Sequence, residues 1–254
     1  MMAVAAFAAL ASNRAGLNIW LSLLVGAAVG AVGSMAVNRW LYYPFIRRGT
    51  KLFTLVIVTL SAGIILQNMV QAIFGPNFFR FTSPGEVSMD ILSARFTPSQ
   101  LETIGLSVVV MLCIHLVLTY TKLGKAMRAT ATNAPLARAC GISTDRVVDV
   151  TWLISGALCG IGGVILALNV GSFSSVTVGN FLVVVLAAAV LGGIGHPYGA
   201  MLGALTIGLS MEVSAAFIAP EYKQVVAFVI LIVVLLVRPQ GILSEIASQR
   251  RLVE

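Results

Sequence analysis

Charge is what this sequence has least of. Asp, Glu, Lys and Arg make up 10% of its 254 residues, with only nine carboxylates, against about 25% in an ordinary soluble domain. So few charges cannot clothe a water-facing surface of that size, which excludes a soluble globular protein. Cysteine and histidine are also sparse, at three and two residues. Cys113 and Cys159 fall inside apolar runs and Cys140 in a polar stretch between two of them, so no pair is placed for a disulfide or a C-x-x-C metal site. We read the cysteines as packing residues and assign no metal site. No G-x-x-x-x-G-K-[ST] phosphate loop occurs, which excludes a P-loop ATPase on this chain. Ser155 in "ISGALCG" and His115 are the one conceivable catalytic pair. Serine beside glycine is common in packed membrane helices, however, and His115 reads as a packed, hydrogen-bonded residue. We therefore assign no catalytic residue and no cofactor to the chain itself. Low-complexity linkers, internal repeats and a soluble domain are absent as well, which leaves one domain over residues 1–254.

What the chain does have is apolar length. It is 59% hydrophobic, with a mean hydropathy of +1.00. A bilayer span needs about 20 mostly apolar residues. Such runs occur at Ile19 to Val37, Leu52 to Phe74, Thr103 to Tyr120, Thr151 to Asn169 and Tyr198 to Ile218. Phe181 to Gly195 and Gln224 to Val237 are equally apolar and shorter, which suits a re-entrant or broken helix for the first and a strongly anchored last span for the second. The fold class that follows is all-α, a polytopic membrane bundle of about 7–8 helices. Met2 to Ala11 is apolar but half the length of a span. Without a basic n-region or cleavage site it reads as part of a membrane helix rather than a signal peptide.

The formal charge of +7 raises nucleic acid as a partner, but the basic residues have no aromatic-rich module around them. Topology accounts for them instead. Arg39, Arg47, Arg48 and Lys51 share one loop, Lys122, Lys125, Arg128, Arg138 and Arg146 a second, and Arg238, Arg250 and Arg251 the tail. Arg14, Arg80, Arg95 and Lys223 fall in the alternate loops. The positive-inside rule puts the rich segments, and hence the C-terminus, in the cytoplasm. An even number of crossings must then separate the second loop from the tail, so Phe181 to Gly195 has to cross completely. Small residues at four-residue spacing, Gly26 and Gly30, Gly156 and Gly160, and Gly195, Gly199 and Gly203, predict close helix–helix packing.

The second basic loop contains "RATATNAPLARACGISTDR". Asn133 is a good N-cap, Pro135 suits a first turn and Gly141 is placed to terminate, which predicts a helix of under two turns. Ser143 with Asp145 then caps the helix that becomes the next span. So short a helix is unstable alone in water and must dock on something. Leu136 and Cys140, four apart, form a small apolar face. Either the helix rests on its own bundle and meets lipid headgroups, or it is a docking lug for a cytoplasmic partner.

"GKAMRATATNAPLARACGISTDRV" resembles the cytoplasmic loop of branched-chain amino-acid importer permeases of the ATP-binding-cassette type, specifically the shorter of the two permease types. "YYPFIRRGTKLFTLVIVTLSAGIILQNMVQAIFGP", "AAAVLGGIGHPYGAMLGALTIGLSMEV" and "VRPQGIL" match in the same order. The resemblance implies a multi-pass permease of the bacterial plasma (inner) membrane, bathed in lipid and paired with a second permease subunit. It further implies ATPase subunits on the cytoplasmic face that use the ATP, and an external substrate-binding protein that delivers the amino acid. The short helix becomes the coupling helix, with Asn133, Leu136, Ala137, Arg138, Gly141 and Ile142 in the part that faces the ATPase. Relatives usually carry a further N-terminal helix ahead of the position where this chain begins, and against that pattern its apolar start looks cut short. Many also carry a lysine where this chain has Val183, Val184 and Val185. Uptake of another small polar solute such as urea or a short amide remains open, as does an ion-coupled secondary transporter.

Polar residues inside the spans are the candidates for a translocation path. Gln67, Asn68 and Gln71 lie near the outer end of their helix, with Gln67 and Gln71 on one face, where they would either line a path or bond a neighbouring helix. Glu212 is the acidic residue inside a predicted span, about 21 Å from the inner end of its helix at 1.5 Å per residue. A carboxylate there is costly in lipid, so it should face protein or a wet cavity. Gly208, Ala215 and Ala216 make its face small, which predicts packing against another helix.

Overall fold

In the computed structural model, which describes residues 1–81, 89–91, 94–96, 98–193, 195, 197–217, 219 and 222–237, nearly every element is a helix. They are α1 (Met2–Arg14), α2 (Ile19–Val37), a π turn (Asn38–Tyr42), α3 (Tyr43–Arg47), α4 (Leu52–Phe74), α5 (Pro98–Tyr120), α6 (Lys122–Thr132), α7 (Ala134–Ala139), α8 (Thr144–Val170), α9 (Ser175–Gly192), α10 (Pro197–Phe217) and α11 (Lys223–Val237). A two-stranded antiparallel ribbon, Met89–Ile91 against Ala94–Phe96, lies in the loop between α4 and α5. Among the described residues, six helices are long and apolar enough to cross a membrane, and Lys223–Val237 is a shorter apolar helix. Hydrocarbon cannot hydrogen-bond a backbone, which is why these runs close their own bonds as helices. The all-α membrane bundle expected from the sequence is what the chain forms.

Contacts divide the chain into two compact units, Met1–Val178 and Gly179–Glu254. In the first, α1, α2 and α8 form the centre. Gly30 and Gly156 face each other so closely that a β-carbon on either would lie about 2.4 Å or less from the other's carbonyl oxygen, and a β-carbon on Gly160 would lie 2.5 Å from that of Gly26. Lipid tails are as apolar as leucine, so such helices are held by van der Waals fit of backbone on backbone rather than by escape from water. The four-residue glycine spacing on α2 and α8 is thus the seam it predicted. Of the third set only Gly199 and Gly203 take part, packing on α9 at Gly192 within the second unit, while Gly195 sits in a turn at φ +101°.

Helix α1 is short but not peripheral. Ala5, Ala6, Phe7, Ala9 and Leu10 are all buried, and Gly163 of α8 lets the backbone of Met2 approach. Against the middle of α1, Phe74, Phe79 and Phe173 pack on Phe7 edge to face or tilted, with ring centroids 4.8 to 5.4 Å from it. Phe79 and Phe173 exchange both backbone bonds at 2.9 Å, and Arg14 lies over the Phe79 ring. Part of what reads as an aqueous loop after Gly75 is therefore an aromatic cover for α1.

Two boundaries differ from the sequence reading. The run expected at Phe181 to Gly195 is the 18-residue helix Ser175–Gly192, about 27 Å long at 1.5 Å per residue, so it is neither short nor broken. It starts early because Ser174 and Thr177 cap it reciprocally: the Thr177 amide donates to Ser174 Oγ and the Ser174 amide to Thr177 Oγ1. Helix α8 starts at Thr144, well ahead of Thr151, and so carries Asp145 and Asp149 on its first turns. The cysteines are a further correction, since Cys113, Cys140 and Cys159 are all exposed rather than packed in the chain's interior. The tail arginines Arg238, Arg250 and Arg251, Ile218 at the end of the predicted fifth run, and the side chain of Arg95 lie outside the described residues.

Candidate functional site

The polar stretch between α5 and α8 folds into two short helices. Thr121 caps α6, its Oγ1 accepting from the Gly124 amide at 3.0 Å, and Arg128 donates back to the Leu118 carbonyl at the end of α5. That second contact satisfies a carbonyl the helix end would otherwise leave open. Helix α7 begins as the sequence predicts: Asn133 Oδ1 accepts from the Leu136 amide at 3.1 Å, and Pro135 sits in the first turn, where its missing N–H costs nothing. It ends where Gly141 takes φ +84°, a conformation that strains any residue with a β-carbon. The amides of Gly141 and Ile142 close onto the carbonyls of Arg138 and Ala137 at 3.0 Å. Ser143 occupies the cap position of α8 without making a side-chain cap bond.

Burial sorts the six residues of this segment by role. Ala137 is 4% exposed and is the side chain through which α7 rests on its own chain. Arg138 turns back to α8, donating from Nε to Thr144 Oγ1 and from Nη2 to Asp145 Oδ1 at 3.2 Å. Ile142 is half-buried, and Asn133 and Gly141 serve the caps. Leu136 is 61% exposed, with Cys140 exposed beside it one turn on. The expected apolar face exists, but it points away from the rest of the chain. Helix α7 is thus tied to α8 by Arg138, seats the buried Ala137 against its own chain and offers Leu136 outward.

The translocation candidates do not converge. Gln67 and Gln71 are half-buried on the face of α4 that carries the buried Val70, and the Gln67 carbonyl accepts from Ser175 Oγ at 3.1 Å. Asn68 is exposed on another face and donates to the Ile64 carbonyl of its own helix at 2.8 Å. Glu212 lies in the second unit, and its surroundings correct the sequence reading. Among the described residues the Gly208 end of its face is not packed on another helix, since a β-carbon there would stand in open space. Instead both carboxylate oxygens accept from Lys223 Nζ at 2.8 Å, with side-chain exposures of 73% for Glu212 and 30% for Lys223. Lys223 was counted only as one outer-loop charge. Its position eleven residues on, at the first turn of the next helix, is the signal that two antiparallel helices bring these charges together.

The sequence matches, over residues 1–235, the family described as branched-chain amino acid transport system, permease component. It is 33% identical over 233 residues to the high-affinity branched-chain amino acid transport system permease protein LivH of Salmonella typhimurium, covering 88% of this chain and 72% of that one. With BraD of Pseudomonas aeruginosa, a permease protein of the same description, it shares 34% identity over 257 residues, covering 96% and 76%. With LivM of Salmonella typhimurium, also a permease protein of a branched-chain amino acid transport system, it shares 28% over 273 residues, covering 96% and 62%. No solved structure matches the chain. A helical membrane chain with this loop and these relatives belongs to the branched-chain amino acid transport permease family.

Proposed function

We propose that this chain is the permease subunit of an ATP-driven importer for branched-chain amino acids, and that α7 is its coupling helix. The observation that carries the reading is the mounting of α7. A six-residue helix capped at both ends, seated through the buried Ala137 and tied to α8 through Arg138, holds an exposed Leu136 outward. Burying such a side chain in a cytoplasmic pocket would contribute roughly 1.5 to 3 kcal/mol, and its mounting would pass a push directly to a membrane-spanning helix. The partner on that side is an ATPase subunit, which uses the ATP; the permease itself binds none. A second permease subunit completes the membrane part, and an external binding protein delivers the solute. Similarity to both LivH and LivM supports a pair of related permeases. The complex sits in a bacterial plasma membrane with the C-terminus inside, in line with the basic residues of the Arg39 to Lys51 and Lys122 to Arg146 segments. Gln67, Asn68, Gln71 and Glu212 remain the candidates for lining its path, and residues 1–254 form its one permease domain.

The test is Leu136→Asp in the reconstituted transporter. Assembly of the permease pair should survive, while substrate-stimulated ATP hydrolysis falls by about tenfold or more, as expected from losing an apolar anchor of this size. Uptake that is unchanged in the variant, or that proceeds in the chain alone on an ion gradient, refutes the reading.

A further inference from the structure

Helix α2 does not stop at Val37 but continues to Arg47 as one 29-residue rod, interrupted by the π turn Asn38–Tyr42. Pro44 explains its place. Proline has no N–H to give the carbonyl of Trp40 four residues earlier, and its ring presses on that carbonyl, so a wider turn relieves the helix just ahead of it. Both ends of the wide turn are bonded to other helices. Asn38, 1% exposed, donates from Nδ2 to Asp149 Oδ1 of α8 at 3.0 Å. Tyr42 stacks on Trp152 of α8 with centroids 5.0 Å apart, and its hydroxyl donates to Thr59 Oγ1 of α4 at 3.0 Å.

Asp149 lies one helical turn from Asp145, the carboxylate that Arg138 of α7 reaches. Farther out, α2 and α8 touch backbone to backbone at Gly30 with Gly156 and Gly26 with Gly160, with only the short side chains of Ser34 and Val164 set against those glycines. The inner end, at Asn38 and Asp149, is where polar bonds rather than interlocked backbones join the two. Asn38 Oδ1 is buried without a hydrogen-bond partner. A buried amide oxygen left unpaired carries a desolvation penalty, so it is a group with something to gain from a second arrangement. A π turn, being one residue more than an α turn, supplies one: shifting it along the rod re-aims the residues it passes by about 100°, the rotation per residue of a helix with 3.6 residues per turn.

We propose that the Asn38–Asp149 bond is the joint through which movement of the cytoplasmic loop enters α2. The route runs from α7 through Arg138 to Asp145, along one turn of α8 to Asp149, and across to the π turn of α2. Asn38 and Asp149 are positioning residues: they touch no solute and set how α2 follows α8. The inference rests on α7 being the coupling helix, and its test has one arm that does not depend on transport.

In the full chain in lipid nanodiscs, amide hydrogen exchange at residues 38–42 reads the π turn directly. Arg138→Ala should speed it by about 2- to 30-fold, the span of long-range coupling in proteins, and in an Asp149→Ala background, which leaves Asn38 Nδ2 no acceptor at that position, the same change should add nothing. No response of residues 38–42 to Arg138→Ala overturns the joint, whatever the chain transports. In the reconstituted transporter, Asn38→Asp sets two carboxylates against each other, and solute taken up per ATP hydrolysed should fall by a similar factor with the complex still assembled. The exchanged pair Asn38→Asp with Asp149→Asn restores an amide facing a carboxylate and should recover the ratio. Loss of assembly in the single variant with an unchanged ratio in what does assemble assigns the pair to packing alone and overturns the proposal. Wild-type protein that shows no ATP-driven uptake, while its π turn still responds to Arg138→Ala, would instead sink the importer reading and keep the joint.

Discussion

Gly156→Ala is the most searching test of the α2–α8 seam. Its new β-carbon would lie 2.3 Å from the Gly30 carbonyl oxygen, 2.4 Å from Ser34 Cβ and 3.0 Å from Ala31 Cα. Ordinary contact begins near 3.4 Å, so the helices must part by about 1 Å. Two of these neighbours are backbone atoms and cannot rotate aside. Parting by that amount forfeits a quarter to a half of each dispersion contact along the seam, and overpacking costs about 1 to 3 kcal/mol. The upper end applies here, because backbone meets backbone. Against it stands alanine's helix preference over glycine, about 1 kcal/mol. The net loss is therefore about 2 kcal/mol, or about 4 to 8 °C in Tm for a chain of this size. Gly208→Ala is the matched control, since its β-carbon meets nothing within 4 Å, and it should leave Tm unchanged or raise it slightly. Thermal unfolding of both variants in nanodiscs decides the matter. Equal Tm values for Gly156→Ala and Gly208→Ala would refute the argument that backbone contact holds α2 to α8.

Two further outcomes follow from the geometry. Glu212→Leu leaves Lys223 without its carboxylate, in a chain segment where an uncompensated charge costs up to about 3 kcal/mol; it should lower Tm, and the exchanged pair Glu212→Lys with Lys223→Glu should restore most of the loss. An exchanged pair no more stable than either single variant would show that the 2.8 Å contact contributes nothing. In a Cys113→Ser, Cys159→Ser background, the exposed Cys140 should resist a membrane-impermeant thiol reagent in intact cells and react once the membrane is opened; ready labelling from outside would invert the topology.

Much of this molecule is written in local sequence. Apolar runs of span length had to become helices, because no other backbone arrangement satisfies itself in hydrocarbon without closing a barrel. Asn133, Pro135 and Gly141 set the start and stop of α7 through their own covalent chemistry, and four-residue glycine spacing marked the seam before any partner helix was known. Where the local signal was weak the reading slipped. The cap at Ser174 and Thr177 lies in a polar turn outside the apolar run, so hydropathy alone places the start of α9 at Phe181 rather than Ser175.

Only the tertiary structure could decide which faces meet. Sequence periodicity gives a face its composition but not its neighbour, so Leu136 was read as part of a docking surface without its outward direction, and the small face at Gly208 was read as packed when it stands open. The bonds joining Asn38 to Asp149, 111 residues apart, and Glu212 to Lys223 depend on where whole helices cross. A crossing is fixed by the sum of many weak van der Waals contacts along both rods, and no single residue carries that sum in its own neighbourhood of the chain.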